Sequence, residues 1–527
     1  MTPAPPGAGE DIAALAKGGR TNFFGFLIRL AARLPFLFIA GRLYGPEALG
    51  AFAYAVIVME FAAQLSTLGL KRGLAQQLST TEQPHSCVVM DAILAAFIAS
   101  AVSTLILMLF PQAMFPAGGV HGADWLLPMV IFGIAGADIA LAALAYRHDI
   151  GATVRARAIV EPWTISLAAA ACVLIFPAAE DGTRSRDGLI IAYVISVTAG
   201  LAASLWPLYR SYGLPPHWKP HPAHLFYVAR QNIPLAAADA IEWGSRRLDI
   251  AILGRFVAPY WVGVYYVGQQ VASLPQKLKT SFDPILAPVI TQKLAEGDKQ
   301  AVAKQVRQVG FWVIAAQAGI ALALGIPGEA VMGMVGAAFV GGTGALAFLL
   351  AAEVVAATAA VSEAALVYVA RHRNLMISAL MIAVQAALTV VFILAVERLP
   401  LRPGSVQAYQ AASAAAALMV ALGLASILKA RLLCRLLDAP VQGWRWPLVW
   451  AGAAAVVVGQ AFTMLPQSLE WVELSIGIPA IMATFGIVVW LKGFTHDDRV
   501  LFRLKKGEEP ALPPPPGTAP GADPPPA

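Results

Sequence analysis

Residues 41–50 read GRLYGPEALG, and residues 254–263 read GRFVAPYWVG. At one constant offset, Gly41 matches Gly254, Arg42 matches Arg255, Pro46 matches Pro259 and Gly50 matches Gly263. Further upstream, Arg33 matches Arg246 at the same offset. Each copy falls at the turn between the first and second apolar spans of a half. Six spans separate the copies. An even number returns the chain to the same side, so the two halves share one orientation. The repeat therefore predicts two six-helix bundles related by a pseudo-two-fold axis along the membrane normal, with a site between them.

The composition agrees with a membrane chain. Only 13% of the 527 residues are charged, against roughly a quarter in a soluble domain, and 58% are hydrophobic. The apolar residues fall in about fourteen runs, each near the 20 residues that a bilayer helix needs. Spans are expected near 22–42, 48–70, 87–110, 123–146, 158–178, 188–209, 232–256, 260–283, 308–328, 343–369, 374–396, 405–428, 446–464 and 472–491. The expected fold is all-α and integral to the membrane, with two extra helices after the twelve of the bundles. The loops leave no stretch long enough for a soluble catalytic domain, and no G-x-x-x-x-G-K-[ST] phosphate loop occurs. A self-contained ATP-driven pump and a membrane-anchored soluble enzyme are thereby disfavoured.

The net charge of +6 reads as an orientation signal and not as a nucleic-acid footprint. With the N-terminus placed in the cytoplasm, Lys and Arg divide 27 inside to 6 outside. That asymmetry predicts a membrane protein with both termini cytoplasmic. The expected organisation is a head at 1–20, a first lobe at 21–210 and a cytoplasmic linker at 211–230. A second lobe at 231–430, two further helices at 431–493 and a disordered Pro-rich tail at 494–527 follow. The first apolar run is too long for a signal-peptide core and is taken as a retained helix. Cys87, Cys172 and Cys434 are expected to stay unpaired. No metal spacing and no cofactor motif are found, and the run HWKPHPAH, with His217, His221 and His224, reads as a loop.

The opening stretch, NFFGFLIRLAARLPFLFIAGRLYGPEALGAFAYAVIVMEFAAQLSTLGLKRGLAQQLS, resembles polysaccharide biosynthesis membrane proteins. These are the O-antigen and exopolysaccharide-type flippases of the multidrug/oligosaccharidyl-lipid/polysaccharide exporter superfamily. RRLDIAILGRFVAPYWVGVYYVGQQV, from Arg246, resembles that family's seventh helix and its turn. PILAPVITQKLAEGDKQ resembles its cytoplasmic loop after the eighth helix. The resemblance runs over about residues 18–430. It implies a MATE-like, V-shaped transporter that moves a lipid-linked oligosaccharide by alternating access. Membrane lipids, an H+ or Na+ gradient and a polysaccharide polymerase or export machinery are its implied partners. The polyprenyl tail is implied to stay in lipid along the side of the last two helices.

A charge inside a bilayer costs roughly 2.5–3.5 kcal/mol on insertion scales, so each one needs a reason. Arg29 and Arg33 share one face of the first helix at i, i+4, and Arg33 is near mid-membrane. Paired guanidinium groups suit the pyrophosphate of a polyprenyl-linked sugar, because each planar fork donates two parallel hydrogen bonds. Snorkelling or pairing with an acid is the structural alternative. The seventh span carries Asp239, Glu242, Arg246, Arg247 and Asp249. Glu242 with Arg246, and Arg246 with Asp249, are spaced to neutralise each other along one face. Arg246 is placed by the repeat opposite Arg33, and Arg247 points about 100° away, toward the other lobe. Arg29, Arg33, Arg246 and Arg247 are thus the expected substrate-binding residues, with Glu242 and Asp249 as gating partners. Glu60 and Asp138, and less so Glu353 and Glu363, are embedded acids that desolvation can keep protonated, which makes them ion-coupling candidates. Tyr265, Tyr266, Gln269, Gln270 and Gln64 offer faces and amides to sugars, with ordinary packing the simpler reading.

Three other functions compete with this one. A cation-coupled multidrug exporter would take cationic substrates, against which an arginine-lined cavity argues. A lipid II flippase would share the pyrophosphate headgroup. A glycan polymerase or ligase would need a sizeable outer loop or an acidic metal site. Flipping makes no covalent change, so no catalytic residues are expected.

Overall fold

A computed structural model describes residues 34–116, 118–176, 186–215, 218–466 and 469–495. The described residues are mostly helical, with no strand among them. The first helix, α1, is described over 34–44 and ends in a wide turn at Ala40–Tyr44. Gly45, with φ 81, reverses the chain, and Pro46 stands in the first turn of α2, Gly45–Ser66, where its fixed φ suits a helix start. α2 stops at Leu68 and Gly69, whose φ values are 52 and 71, and α3 covers Leu70–Thr80. The first lobe continues with α4 (His85–Leu109), α5 (Val130–Tyr146), α6 (Ile150–Ile175) and α7 (Asp187–Tyr212).

The second lobe begins with two long helices, α8 (Pro222–Phe256) and α9 (Pro259–Ala295). It continues with α10 (Lys299–Gly325), the short α11 (Gly328–Val335), α12 (Thr343–Val369), α13 (Arg371–Glu397) and α14 (Val406–Leu437). α15 (Pro447–Thr463) and α16 (Glu470–Gly493) pack on the outside of α10. Among the described residues, ten helical segments are long and apolar enough to cross a membrane, and one of them, Leu34–Thr80, holds two of the expected spans. α8 and α9 are long enough but more polar than the rest, as helices between two lobes can be. The protein is a multi-pass membrane protein.

Two expectations about boundaries are corrected. The segment 222–230, read as linker, is the first quarter of α8. PILAPVITQKLAEGDKQ, read as a loop, stays helical to Ala295 and turns only at Gly297, with φ 75. In both places the apolar pattern fades while the helix runs on past the expected bilayer edge.

The matched glycines of the repeat meet each other. A Cβ on Gly50 would lie 1.8 Å from the Pro259 carbonyl oxygen, and one on Gly263 would lie 2.0 Å from the Pro46 oxygen. The two N-terminal turns of α2 and α9 therefore cross backbone on backbone, as small residues allow in membrane helices. We call this end of the molecule the turn face and the opposite end the basic face. Around the crossing, one hydrophobic core joins both lobes, including Leu49, Phe52, Val264, Tyr265, Phe339 and Leu346. Toward the basic face the core divides. Leu70, Leu74, Val89, Ile139 and Leu144 belong to the first lobe, and Val306, Phe311, Val361 and Leu433 to the second. The lobes are thus fused by one core at the turn face, and at the basic face Leu225 and Val228 of α8 pack into the core of the first lobe.

Candidate functional site: a charged clasp between the lobes

Where the cores divide, α3 of the first lobe meets α8 of the second. The approach is set by two glycines one turn apart. A Cβ on Gly69 would lie 2.5 Å from the Ala236 nitrogen, and one on Gly73 would lie 1.9 Å from Oδ1 of Asn232. Gly69 is also left-handed, so both its conformation and its contact require glycine. Between these glycines stand Lys71 and Arg72. Arg72 Nε lies 2.6 Å from Asp239, and its Nη2 lies 2.5 Å from Glu242. Lys71 Nζ is 3.7 Å from Asp239 and also donates to Gln64 of α2. Arg246, one turn beyond Glu242 on α8, reaches the other oxygen of Glu242 at 3.5 Å. Asp239 is fully buried, whereas Glu242 and Arg246 are about half exposed. Phe61 of α2 stacks on Trp243 beside them, with ring centroids 5.1 Å apart.

The rest of the α8 charge turns inward. Asp249 is buried and accepts hydrogen bonds from the Tyr265 hydroxyl at 2.6 Å and from Nε2 of Gln269 at 3.2 Å. Arg247 donates to Oε1 of Gln269 at 2.9 Å. Two expected pairings are therefore corrected. Asp249 is held by α9 and not by Arg246, and Arg247 faces α9 of its own lobe. The i, i+3 spacing of Arg246 and Asp249 permits a pair, but a neutral tyrosine–amide cradle on α9 takes the carboxylate instead. Of the sugar-facing set, Tyr265 and Gln269 are committed to Asp249, and Gln64 to Lys71.

The remaining predicted residues lie elsewhere. Arg29 and Arg33 fall outside the described residues. Asp138 is not a lone acid, because it pairs with Arg157, which also bonds Glu161 at 2.8 Å. Glu60 is half-buried on α2, near enough to Tyr193 to act on it electrostatically. Glu363 pairs at 3.0 Å with Lys429, which also donates to Ser378. Lys429, one of the cations counted as cytoplasmic, is 5% exposed inside α14. Sequence reasoning missed Lys71 and Arg72 as site residues for a similar reason, since both were counted as orientation charges. The one signal was their position between Gly69 and Gly73.

A cavity opens on the turn face, above the glycine crossing. It holds about 850 Å³ and is lined from both lobes, among others by Arg42, Tyr44, Tyr54, Arg186 and Tyr260. Its cations are already engaged. Arg42 donates to the Met334 carbonyl at 2.7 Å, and Arg186 donates to Asp124 at 2.5 Å.

The profile of polysaccharide biosynthesis proteins matches residues 23–293, half of the chain, and includes α2, α3, α8 and the clasp. The chain belongs to the polysaccharide biosynthesis protein family. No curated protein matches it in sequence. Solved structures match in fold. The lipid II flippase MurJ in an inward closed conformation has a TM-score of 0.65 at 12% identity, over 93% of this chain and all of that one. An inward-facing multidrug resistance MATE family transporter of the MOP superfamily has a TM-score of 0.61 at 13% identity, over 79% of this chain and 96% of that one. A MATE in complex with MaL6 follows at 0.55 and 12% identity, over 81% and 97%. In this family member the expected MATE-like architecture is therefore present, with the clasp at the divide between its lobes.

Proposed function

We propose that this polysaccharide biosynthesis protein flips a polyprenyl-pyrophosphate-linked oligosaccharide from the cytoplasmic to the outer leaflet of the bacterial inner membrane. Family membership supports a lipid-linked glycan substrate. The observation that carries the mechanism is the cluster of Lys71, Arg72 and Arg246 where the lobes divide, with one cation more than Asp239 and Glu242 neutralise. On this reading the basic face is cytoplasmic and the turn face is outer, in line with the positive-inside count. The pyrophosphate enters between the lobes at the basic face. Arg246, together with Arg29 and Arg33 from the first helix, grips it during transit, and Arg247 supports Asp249 through Gln269. The polyprenyl tail stays in lipid. The fused core and glycine crossing at the turn face part while the basic face closes, which completes alternating access. Surface polysaccharide, as lipopolysaccharide or exopolysaccharide, is the end product. No covalent bond changes, so the protein is not an enzyme. Glu60 is the coupling candidate for H+ or Na+, while Asp138 is already neutralised by Arg157.

The second reading, export of cationic drugs, is disfavoured by the positive clasp, since like charge near a site costs affinity. Lipid II would fit the same cations through its pyrophosphate. Reconstitution tests the proposal. Proteoliposomes should expose a lumenally loaded undecaprenyl-pyrophosphate-linked oligosaccharide to an external, membrane-impermeant glycosidase, and Arg246→Gln should lower the rate at least tenfold. Translocation no faster than in protein-free liposomes, or active efflux of a cationic dye instead, would overturn it.

A further inference from the structure

We infer that the turn-face cavity is an outer saccharide site. It takes the hydroxyl groups and ring faces of a phosphate-free oligosaccharide, and it lies beyond the glycine crossing, outside the closed path between the lobes. The inference rests on the flippase reading for its role and on the cavity for its chemistry.

Three observations carry it. First, size and position fit. The cavity holds about 850 Å³, and its lining includes Pro46, Gly50 and Pro259, the backbone of the crossing. Ligand pockets span roughly 300–1,000 Å³, so a short oligosaccharide has room. Second, the repeat puts two different groups at matched places. Glu47 follows Pro46 on α2, and Tyr260 follows Pro259 on α9, at the same offset as the prolines. Both line the cavity, one from each lobe. A carboxylate accepts sugar hydroxyls in charge-assisted hydrogen bonds, and a tyrosine ring can cover the apolar C–H face of a pyranose. Glu47 is exposed and has no hydrogen bond or ion pair among the described residues. The Tyr260 hydroxyl donates to the Ala338 carbonyl at 2.7 Å, which fixes its ring. Tyr54 of α2 lies against Gly254 of α8, and its hydroxyl makes no hydrogen bond among the described residues. Third, the cations are spent. Arg42 gives both Nε and Nη2 to the Met334 carbonyl, and Arg186 gives both to Asp124. That fork of each guanidinium, the one that would suit a phosphate, is taken.

The two walls bind together or not at all. A ligand that touches α2 and α9 keeps all its contacts only while the two helices cross. It therefore favours the closed turn face, by its differential affinity for the two states. A glycan that has left the path and settles here shuts the turn face behind it.

The test uses the full chain in lipid nanodiscs. The probes, at millimolar concentration, are cellotriose, triacetylchitotriose and the lipid-free repeat-unit oligosaccharide of the host's surface polysaccharide. Saturation-transfer NMR measures binding, and hydrogen–deuterium exchange locates it. At least one probe should bind and slow exchange in residues 46–54 and 259–262, and not in 70–80. Inorganic pyrophosphate should not displace it. Glu47→Gln should weaken binding about tenfold and Tyr54→Phe about threefold, the usual difference between a charged and a neutral hydrogen-bond partner. Ala338→Trp, which fills the cavity from an exposed position, should abolish it. Arg246→Gln, at the clasp, should bind as the wild type does. Failure of all three probes to bind, protection confined to 70–80, displacement by pyrophosphate, or wild-type affinity in Glu47→Gln and Ala338→Trp would each overturn the inference. None of these results would touch the flippase reading, which fails only if lipid-linked glycan is not translocated.

Discussion

Gly50 and Gly263 occupy the closest approach between the lobes, where a single added methyl meets the carbonyl of Pro259 or Pro46. Neither carbonyl can swing away, because each belongs to the first turn of a helix. Gly50→Ala is therefore expected to destabilise the detergent-solubilised protein by about 1–3 kcal/mol, the usual cost of overpacking. Thermal unfolding measures it, with Gly244→Ala as the control. No atom lies within 4 Å of a Cβ at Gly244, and alanine there should be neutral or slightly stabilising. Equal behaviour of the two variants would count against the crossing. A second prediction concerns Lys429, buried in α14 against a Glu363 side chain that is 40% exposed. Lys429→Met should cost roughly 1–3 kcal/mol, less than a fully buried pair because water reaches Glu363. Lys429→Met/Glu363→Leu should recover most of that loss, since no charge is then stranded. A double variant as unstable as the single one would show that packing, not charge, sets the cost.

At the scale of elements, α3 is the part on which the site depends. It exists as a separate helix because Leu68 and Gly69 take positive φ, and it is seated on α8 by Gly69 and Gly73. Gly69→Ala should lift α3 off α8. Hydrogen–deuterium exchange should then rise in residues 70–80 and stay unchanged in α12. Exchange confined to wild-type rates in α3 would mean that the seat is not needed. The sequence carried the turn-face half of this picture well. Its repeat has the same residues on both sides of the axis, so the crossing of Gly50 and Gly263 follows from symmetry. The basic-face half was not legible. Arg72 and Glu242 stand 170 positions apart, and Lys429 and Glu363 stand 66 apart. Nothing periodic links such partners, and a hydropathy window ends a span at the first strong charge whether or not that charge is paired. The helix extensions at Pro222 and Ala295 were missed for the same reason.

At the scale of the whole molecule, the two lobes share one apolar core at the turn face, and at the basic face ion pairs stand beside the packing of Leu225 and Val228 of α8 on the first lobe. The cations clustered at the basic face give the protein a polarity that a symmetric repeat alone would not have. The most direct test of this account is made in a strain that lacks the protein. Polyprenyl-pyrophosphate-linked glycan is extracted and quantified beside surface polysaccharide, with wild-type, Arg72→Gln and Arg246→Gln complementation at matched protein levels. The account predicts that lipid-linked glycan accumulates and surface polymer falls in the deletion strain, that wild type reverses both, and that neither arginine variant does. Unchanged lipid-linked glycan and unchanged polymer in the deletion strain would contradict it.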